Sequence, residues 1–74
     1  MNKIHKIENK KYTSDEVIET FGKYLSIQNQ EILINHLIYD DLKKYLEGFF
    51  EDENGILFFK MKNDDKPISV TKNT

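Results

Sequence analysis

The chain has 74 residues, no cysteine and a formal net charge of −2 at pH 7. A chain of this length forms one domain with a small core, which leaves little room for a deep substrate pocket. The missing cysteine excludes disulfides and thiolate metal sites. The N-terminal segment lacks the apolar run of a signal peptide, and no segment reaches membrane-spanning length. We therefore expect a cytoplasmic protein without a membrane anchor.

Composition and charge are both uneven along the chain. Ala, Arg, Trp and Cys are absent while Lys, Ile and Asn are abundant, which is typical of AT-rich genes of a low-GC bacterium or of its phages and plasmids. Residues 1–12 carry +3, residues 13–59 carry −7 and residues 60–74 carry +2. Because phosphate neutralisation drives nucleic-acid binding, the acidic middle predicts that nucleic acid is not the partner. A protein with a basic or nucleic-acid-binding surface would suit this charge better.

The first predicted helix begins after Thr13. Thr13 at the N-cap and Glu16 three residues into the helix form a capping box, a common signal for a helix start. Apolar residues then recur on one helical face, which predicts a helix from Ser14 to about Tyr24 or Leu25.

The second predicted helix extends from Asn29 to Glu47, because apolar residues recur there at spacings of three and four. Its apolar sector is wider than one face. A helix that is apolar over so much of its circumference usually contacts two surfaces. We therefore expect either self-association as a homodimer or burial by a partner through three residues of this wider sector: Ile32, Leu33 and Tyr39.

The sequence Asn54-Gly55 predicts a hairpin with a two-residue type I′ turn. That turn would place Phe50 opposite Phe59, and strand alternation would then assign each side chain to one face. The predicted core face carries Phe50, Leu57, Phe59 and Met61. The predicted outer face carries Phe49, Ile56 and Phe58 among Glu51 and Glu53, with Asp52 at the tip.

The remaining segments complete an α+β fold in which two helices pack on one face of a three-stranded antiparallel sheet, in the order ααβββ. Residues 68–71 alternate in polarity after a turn-rich stretch and are predicted as the third strand. Residues 1–12 are expected to form a basic arm or an edge strand. Residues 13–71 form the predicted domain, and residues 72–74 a tail.

No arrangement of residues predicts catalysis. His5 and His36 are the only imidazoles, and no further ligand completes a metal site. The acidic stretch before Gly55 does not have the spacing of a calcium loop. No nucleophile elbow, facing carboxylate pair or phosphate-binding glycine loop is present. We therefore expect a non-enzymatic protein without a metal or cofactor.

The segment YTSDEVIETFG resembles the first helix of helix-turn-helix regulators of the excisionase or MerR type, in which a Tyr-Thr start and a Glu-Val pair precede a turn glycine. The resemblance implies DNA binding by the segment that follows. That segment offers amides that could read adenine, at Gln28, Asn29, Gln30 and Asn35. It has no Arg or Lys to contact phosphate, and the tract between the helices is longer than the usual turn.

The leading hypothesis is a protein-interaction module, encoded by a phage or mobile element to antagonise a host protein of the CRISPR, restriction or polymerase systems. The alternative is a small helix-turn-helix regulator. The predicted binding surface is an apolar cluster with an acidic rim, suited to a basic and partly apolar site. Its residues are Phe49, Glu51, Asp52, Glu53, Ile56 and Phe58. An intramolecular cover over the same rings is the competing interpretation.

Overall fold

The structure, a computed structural model, describes residues 3–40 and 44–70. The described chain forms two α-helices and a four-stranded antiparallel sheet in the order β1-β2-β3-β4. The elements in chain order are β1 (His5–Lys6), α1 (Ser14–Phe21), α2 (Ile27–Ile34), β2 (Leu46–Glu51), β3 (Leu57–Met61) and β4 (Ile68–Ser69). The α+β class is confirmed, whereas the predicted three-stranded sheet is wrong by one strand.

The additional strand, β1, comes from the basic N-terminal segment. It pairs with β2 through His5 opposite Phe49 and Lys6 opposite Gly48. Gly48 permits this approach, because a Cβ there would lie 2.6 Å from the His5 carbonyl oxygen and 2.6 Å from Ile4 Cγ2. Residues 1–12 were expected to form a basic arm or an edge strand, and His5–Lys6 form an edge strand. Two paired residues are too few for strand periodicity to be visible, so the sequence pattern did not reveal the position of this strand.

Helix α1 begins as predicted. The Thr13 hydroxyl accepts a hydrogen bond from the Glu16 backbone N–H at 3.1 Å, and the Glu16 carboxylate accepts one from the Thr13 N–H at 3.3 Å. The helix buries Val17 and Phe21 and continues as a 3-10 turn over Gly22–Tyr24. The capping box therefore fixes the start of the first helical layer.

The second helix is shorter than predicted. Helix α2 ends at Ile34, a π-helical segment follows over Asn35–Tyr39, and β2 begins at Leu46. A β-bulge interrupts the β2 register next to Leu46, which explains how Leu46 and Phe49 are both fully buried although three positions separate them. A spacing of three between buried apolar residues is also typical of a helix, so the sequence pattern predicted a helix here. Residues 41–43, which the prediction placed inside the helix, lie outside the described residues.

The hairpin turn contains three loop residues instead of the predicted two. The Asp52 N–H donates to the Ile56 carbonyl and the Gly55 N–H donates to the Asp52 carbonyl, both at 3.0 Å. The Asp52 carboxylate accepts from the N–H groups of Asn54 and Ile56, both at 2.9 Å. Gly55 has φ of 80°, which suits the left-handed position that closes a three-residue hairpin loop.

The longer loop shifts β2 by one position, and this exchanges the two faces of β2. Phe49 pairs with Phe59, and Phe50 pairs with Phe58. The predicted positions of Phe49 outside and Phe50 inside are therefore wrong. On β3 the predicted faces are correct, since Leu57 and Phe59 are buried while Phe58 is only partly buried.

The core lies between the helices and one face of the sheet. Aromatic rings join the layers: Phe21 of α1 meets Phe49 of β2 edge to face, with centroids 5.2 Å apart. The buried apolar residues are Ile7, Tyr12, Val17, Phe21, Leu25, Leu33, Leu37, Leu46, Phe49, Leu57 and Phe59. Over residues 3–40 and 44–70, we find no helix with the length and apolar character that a membrane crossing requires. The predicted tail at residues 72–74 lies outside these ranges.

Candidate interaction surface

The sheet face opposite the core carries partly buried apolar side chains that belong to neither the core nor the layer packed against it. We call this surface the outer face. Its apolar residues are Ile4, Phe50, Ile56 and Phe58. Both helices direct their buried side chains into the core on the other side. Within the described parts of the chain, no helix therefore covers the outer face.

The centre of the outer face is a stacked pair of phenylalanines. Phe50 of β2 lies directly opposite Phe58 of β3, with ring centroids 4.9 Å apart and ring planes 12° apart. Cross-strand aromatic pairs of this kind stabilise a sheet by about 0.2–1 kcal/mol. They also present a flat and rigid apolar area, which makes the pair suitable as an anchor for a second molecule.

Charged groups lie at the two ends of the outer face. The hairpin end carries Asp52, which is partly buried, and Glu53, which is exposed. The opposite end carries Lys6 on β1 and Lys60 on β3, and the Lys60 ammonium lies 3.8 Å from the Glu47 carboxylate. The outer face is thus acidic at the hairpin and basic or neutralised at the other end.

Glu51, which the sequence predicted as part of the acidic rim, faces α2 instead. Its carboxylate accepts from the Ser26 N–H at 2.8 Å and from the Asn29 side-chain amide at 2.6 Å. Burial disfavours the charged form, but these hydrogen bonds outweigh burial and lower the pKa of Glu51 from its ordinary value. Glu51 therefore ties the start of α2 to the hairpin and does not contribute to the outer face.

The structure brings together only part of the predicted binding surface. Phe49 does not belong to this surface because it is buried in the core. Glu51 does not belong to it because its carboxylate accepts a hydrogen bond from Asn29 of α2. Phe50, which the sequence placed in the core, takes the position expected of Phe49. An Asp three residues before Gly55 was the available signal, because Asp side chains bond to the backbone of the turn that follows. The predicted residues that remain on the outer face or at its tip are Asp52, Glu53, Ile56 and Phe58.

The three residues expected to mediate self-association do not share a surface. Leu33 has no exposed area and belongs to the core, and Ile32 is partly buried against the same core. Tyr39 is 76% exposed at the end of the π-helical segment. The wide apolar sector of α2 is therefore largely occupied within the chain itself.

Two of the four amides that would read bases in a helix-turn-helix protein are occupied internally. Asn29 is 2% exposed, and its amide donates to both Glu51 and the Gly55 carbonyl, the latter at 2.9 Å. The Gln30 amide donates to the carbonyls of Gly22 and Leu25 at 3.0 and 3.3 Å. These bonds join α2 to its surroundings, so neither amide is available to a base edge.

The His36 side chain contacts other side chains of the same chain. Its Nδ1 lies 3.1 Å from the Asp40 carboxylate, and its ring meets the Phe59 ring edge to face at 5.3 Å. In the ranges that the structure covers, no cluster of three or more His, Cys, Asp or Glu residues could hold a metal ion.

Comparisons with known proteins give no relative of this chain. No family model matches it, and neither a curated protein nor a solved structure is significantly similar to it. Its function has to be inferred from its own residues and contacts.

Proposed function

We propose that the chain is a small non-enzymatic protein-interaction module that binds a partner protein through the outer face. The stacked Phe50–Phe58 pair supports this proposal most directly. One side of an antiparallel sheet commonly faces water, but it then carries mainly polar residues. Here, partly exposed aromatic side chains occupy the centre of that side. An apolar patch on a domain this small is typical of an interaction site.

The positions of the apolar residues on the outer face indicate which of them should contribute most to the free energy of binding. Phe50 and Phe58 lie at its centre, and Ile4 and Ile56 lie beside them and can exclude water from the contact. Central aromatic residues of protein interfaces commonly contribute about 2 kcal/mol or more to binding. The two rings are therefore the proposed anchors, and the flanking residues supply shape complementarity.

The charge of the hairpin end suggests the chemistry of the partner. Asp52 and Glu53 would face a basic patch, and the −7 charge of residues 13–59 would steer the chain toward a basic or nucleic-acid-binding surface. Within this proposal the chain acts as an antagonist of a host protein, encoded by a phage or mobile element. The AT-rich composition and the acidic middle support that role.

The test compares outer-face variants with an exposed apolar control. Phe50→Ser and Phe58→Ser remove the two anchors, and Ile27→Ser removes an apolar side chain that is 78% exposed at the start of α2, away from the outer face. A partner captured from cells that express the protein is purified, and its affinity for each variant is measured by calorimetry. We expect Phe58→Ser to weaken binding at least about tenfold while Ile27→Ser leaves it unchanged.

Folding must be monitored in the same variants. Because Phe50 and Phe58 are not part of the core, the far-ultraviolet circular dichroism spectra of both variants should match that of the unchanged protein. A partner that binds both folded serine variants as tightly as it binds the unchanged protein would refute the proposed surface. Glu53→Gln should mainly slow association and reduce its salt dependence.

A further inference from the structure

A cleft of about 380 Å³ lies between β1 and the C-terminal end of α1. The residues that line it include two lysines, a histidine, a threonine and a tyrosine, and none of the lining residues is acidic. These polar lining residues are Lys3, His5, Lys6, Thr20 and Tyr24. The volume is within the range of small-molecule sites, which are commonly 300–1,000 Å³.

Aromatic packing holds one wall of the cleft in place. The His5 ring stacks on the Tyr24 ring, with centroids 3.8 Å apart and planes 17° apart. The His5 ring also lies 5.4 Å from the ring of Phe49, which is fully buried in the core. The wall is thus attached to the core of the domain, so the cleft is a preformed feature and not a gap between loose side chains.

Three lysines lie at or beside the cleft. Lys3 and Lys6 line it, and the Lys23 ammonium lies above the Tyr24 ring at 5.2 Å from the centroid. Across residues 3–40 and 44–70, none of these three lysines forms an ion pair with a carboxylate. Burial, together with the charge of Lys3, lowers the pKa of His5 from its ordinary value, which is consistent with a local excess of positive charge.

We propose that this cleft binds the phosphate group of a small ligand. Lysine ammonium groups are common ligands of phosphate, and a hydroxyl such as that of Thr20 can donate a further hydrogen bond to it. A site with several cations and no acidic residue disfavours a cationic ligand and favours a doubly charged anion. Inorganic phosphate and a phosphate monoester share this chemistry. This proposal does not rest on the proposed protein-binding function, because Phe50 and Phe58 do not line the cleft, although Ile4 and Lys6 border both surfaces.

The experiment is a nuclear magnetic resonance titration of the isotope-labelled chain with three probes: inorganic phosphate, adenosine monophosphate and adenosine. Sodium chloride keeps the ionic strength constant, so that general screening is the same in every sample. We expect saturable shifts of the His5 and Tyr24 signals with both phosphate-bearing probes, with a dissociation constant below about 10 mM, and no saturation with adenosine. Tighter binding of the monophosphate than of inorganic phosphate would identify an ester as the ligand, and the reverse order would identify the free ion.

Two variants make the test specific to the cleft. The double variant Lys3→Gln, Lys6→Gln should weaken phosphate binding at least about fivefold, since each removes one charge from the site. Lys66→Gln, an exposed lysine before β4, is the matched control and should leave binding unchanged. Phosphate should also raise the pKa of His5 in the unchanged protein, since a bound anion stabilises the imidazolium.

Three results would overturn the proposal. One is a shift that rises linearly with phosphate without saturating, and another is an equal loss of affinity in Lys66→Gln and the double variant. The third comes from a separate titration with single-stranded oligonucleotides of increasing length. An affinity that increases with length would indicate a nucleic-acid backbone site in place of a small-ligand site.

Discussion

Phe49 and Phe50 are adjacent and chemically identical, yet they lie in opposite environments. Phe49 has no exposed area, and its ring meets Phe21 edge to face at 5.2 Å. Phe50 is only partly buried and stacks on Phe58. Because neighbouring side chains of a strand point to opposite faces, only the register of the hairpin decides which ring enters the core.

The first prediction tests this register through alanine substitutions. Phe49→Ala should lower the free energy of unfolding by about 3–5 kcal/mol, because it leaves a cavity in a small core. Phe50→Ala should cost only about 1 kcal/mol, because it removes a cross-strand stack and little buried area. Urea unfolding of both variants measures the difference. A larger loss at Phe50 than at Phe49 would mean that the hairpin has the two-residue turn after all.

The residues of β3 were assigned correctly from the sequence because alternation alone places Leu57 and Phe59 on one face and Phe58 on the other. The residues of β2 could not be assigned in the same way, since their faces depend on the number of loop residues. Asp52 determines that number by bonding to the backbone of the loop. A side chain outside the Asn54-Gly55 pair thus determines which phenylalanine of β2 lies on the outer face.

At the scale of elements, local sequence signals were sufficient to predict the start of α1 but not to predict where the second helix ends. The capping box of Thr13 and Glu16 involves residues three positions apart, so it is readable from the sequence. The bulge beside Leu46 exists only because β2 pairs with β3. A spacing of three between buried residues is therefore ambiguous between a helix and a bulged strand, and pairing with a distant segment resolves it.

The second prediction concerns Glu51, which joins α2 to the hairpin. Its pKa is lower in the folded chain than in the unfolded chain, so its ionisation stabilises the fold above the ordinary pKa of 4.5. This contribution is lost as the pH falls through the lower folded pKa. We therefore expect Glu51→Gln to be less stable than the unchanged protein at pH 7, with a difference that shrinks below pH 4.

Thermal unfolding between about pH 3 and pH 7 measures this difference, and other carboxylates cancel in the comparison between the two proteins. Glu53→Gln, in the exposed loop of the same hairpin, is the matched control and should follow the unchanged protein at every pH. A difference between Glu51→Gln and the unchanged protein that stays constant down to pH 3 would show that the charge of Glu51 does not stabilise the contact with Ser26 and Asn29.

At the scale of the molecule, both helices pack on one side of the sheet and leave the other side to Ile4, Phe50, Ile56 and Phe58. The N-terminal segment completes the sheet as β1 and forms the cleft against α1. The sequence indicated an apolar patch with acidic neighbours, and the outer face has that character although one ring and one acid differ. It did not indicate the cleft, because the cleft needs β1 to dock beside Gly48.

The third prediction concerns self-association of the whole chain. Because Leu33 and Ile32 are part of the core, the surface expected to hold a dimer is absent, and we expect a monomer at micromolar concentration.

At much higher concentration, two outer faces can meet in antiparallel orientation, with the acidic hairpin end of each facing the basic end of the other. Sedimentation velocity should show this weak association. Phe58→Ser should abolish it, whereas Tyr39→Ser, which removes a more exposed aromatic ring elsewhere, should not. A dimer that forms at micromolar concentration and dissociates only in Tyr39→Ser would restore the role of the π-helical segment and remove the outer face from self-association.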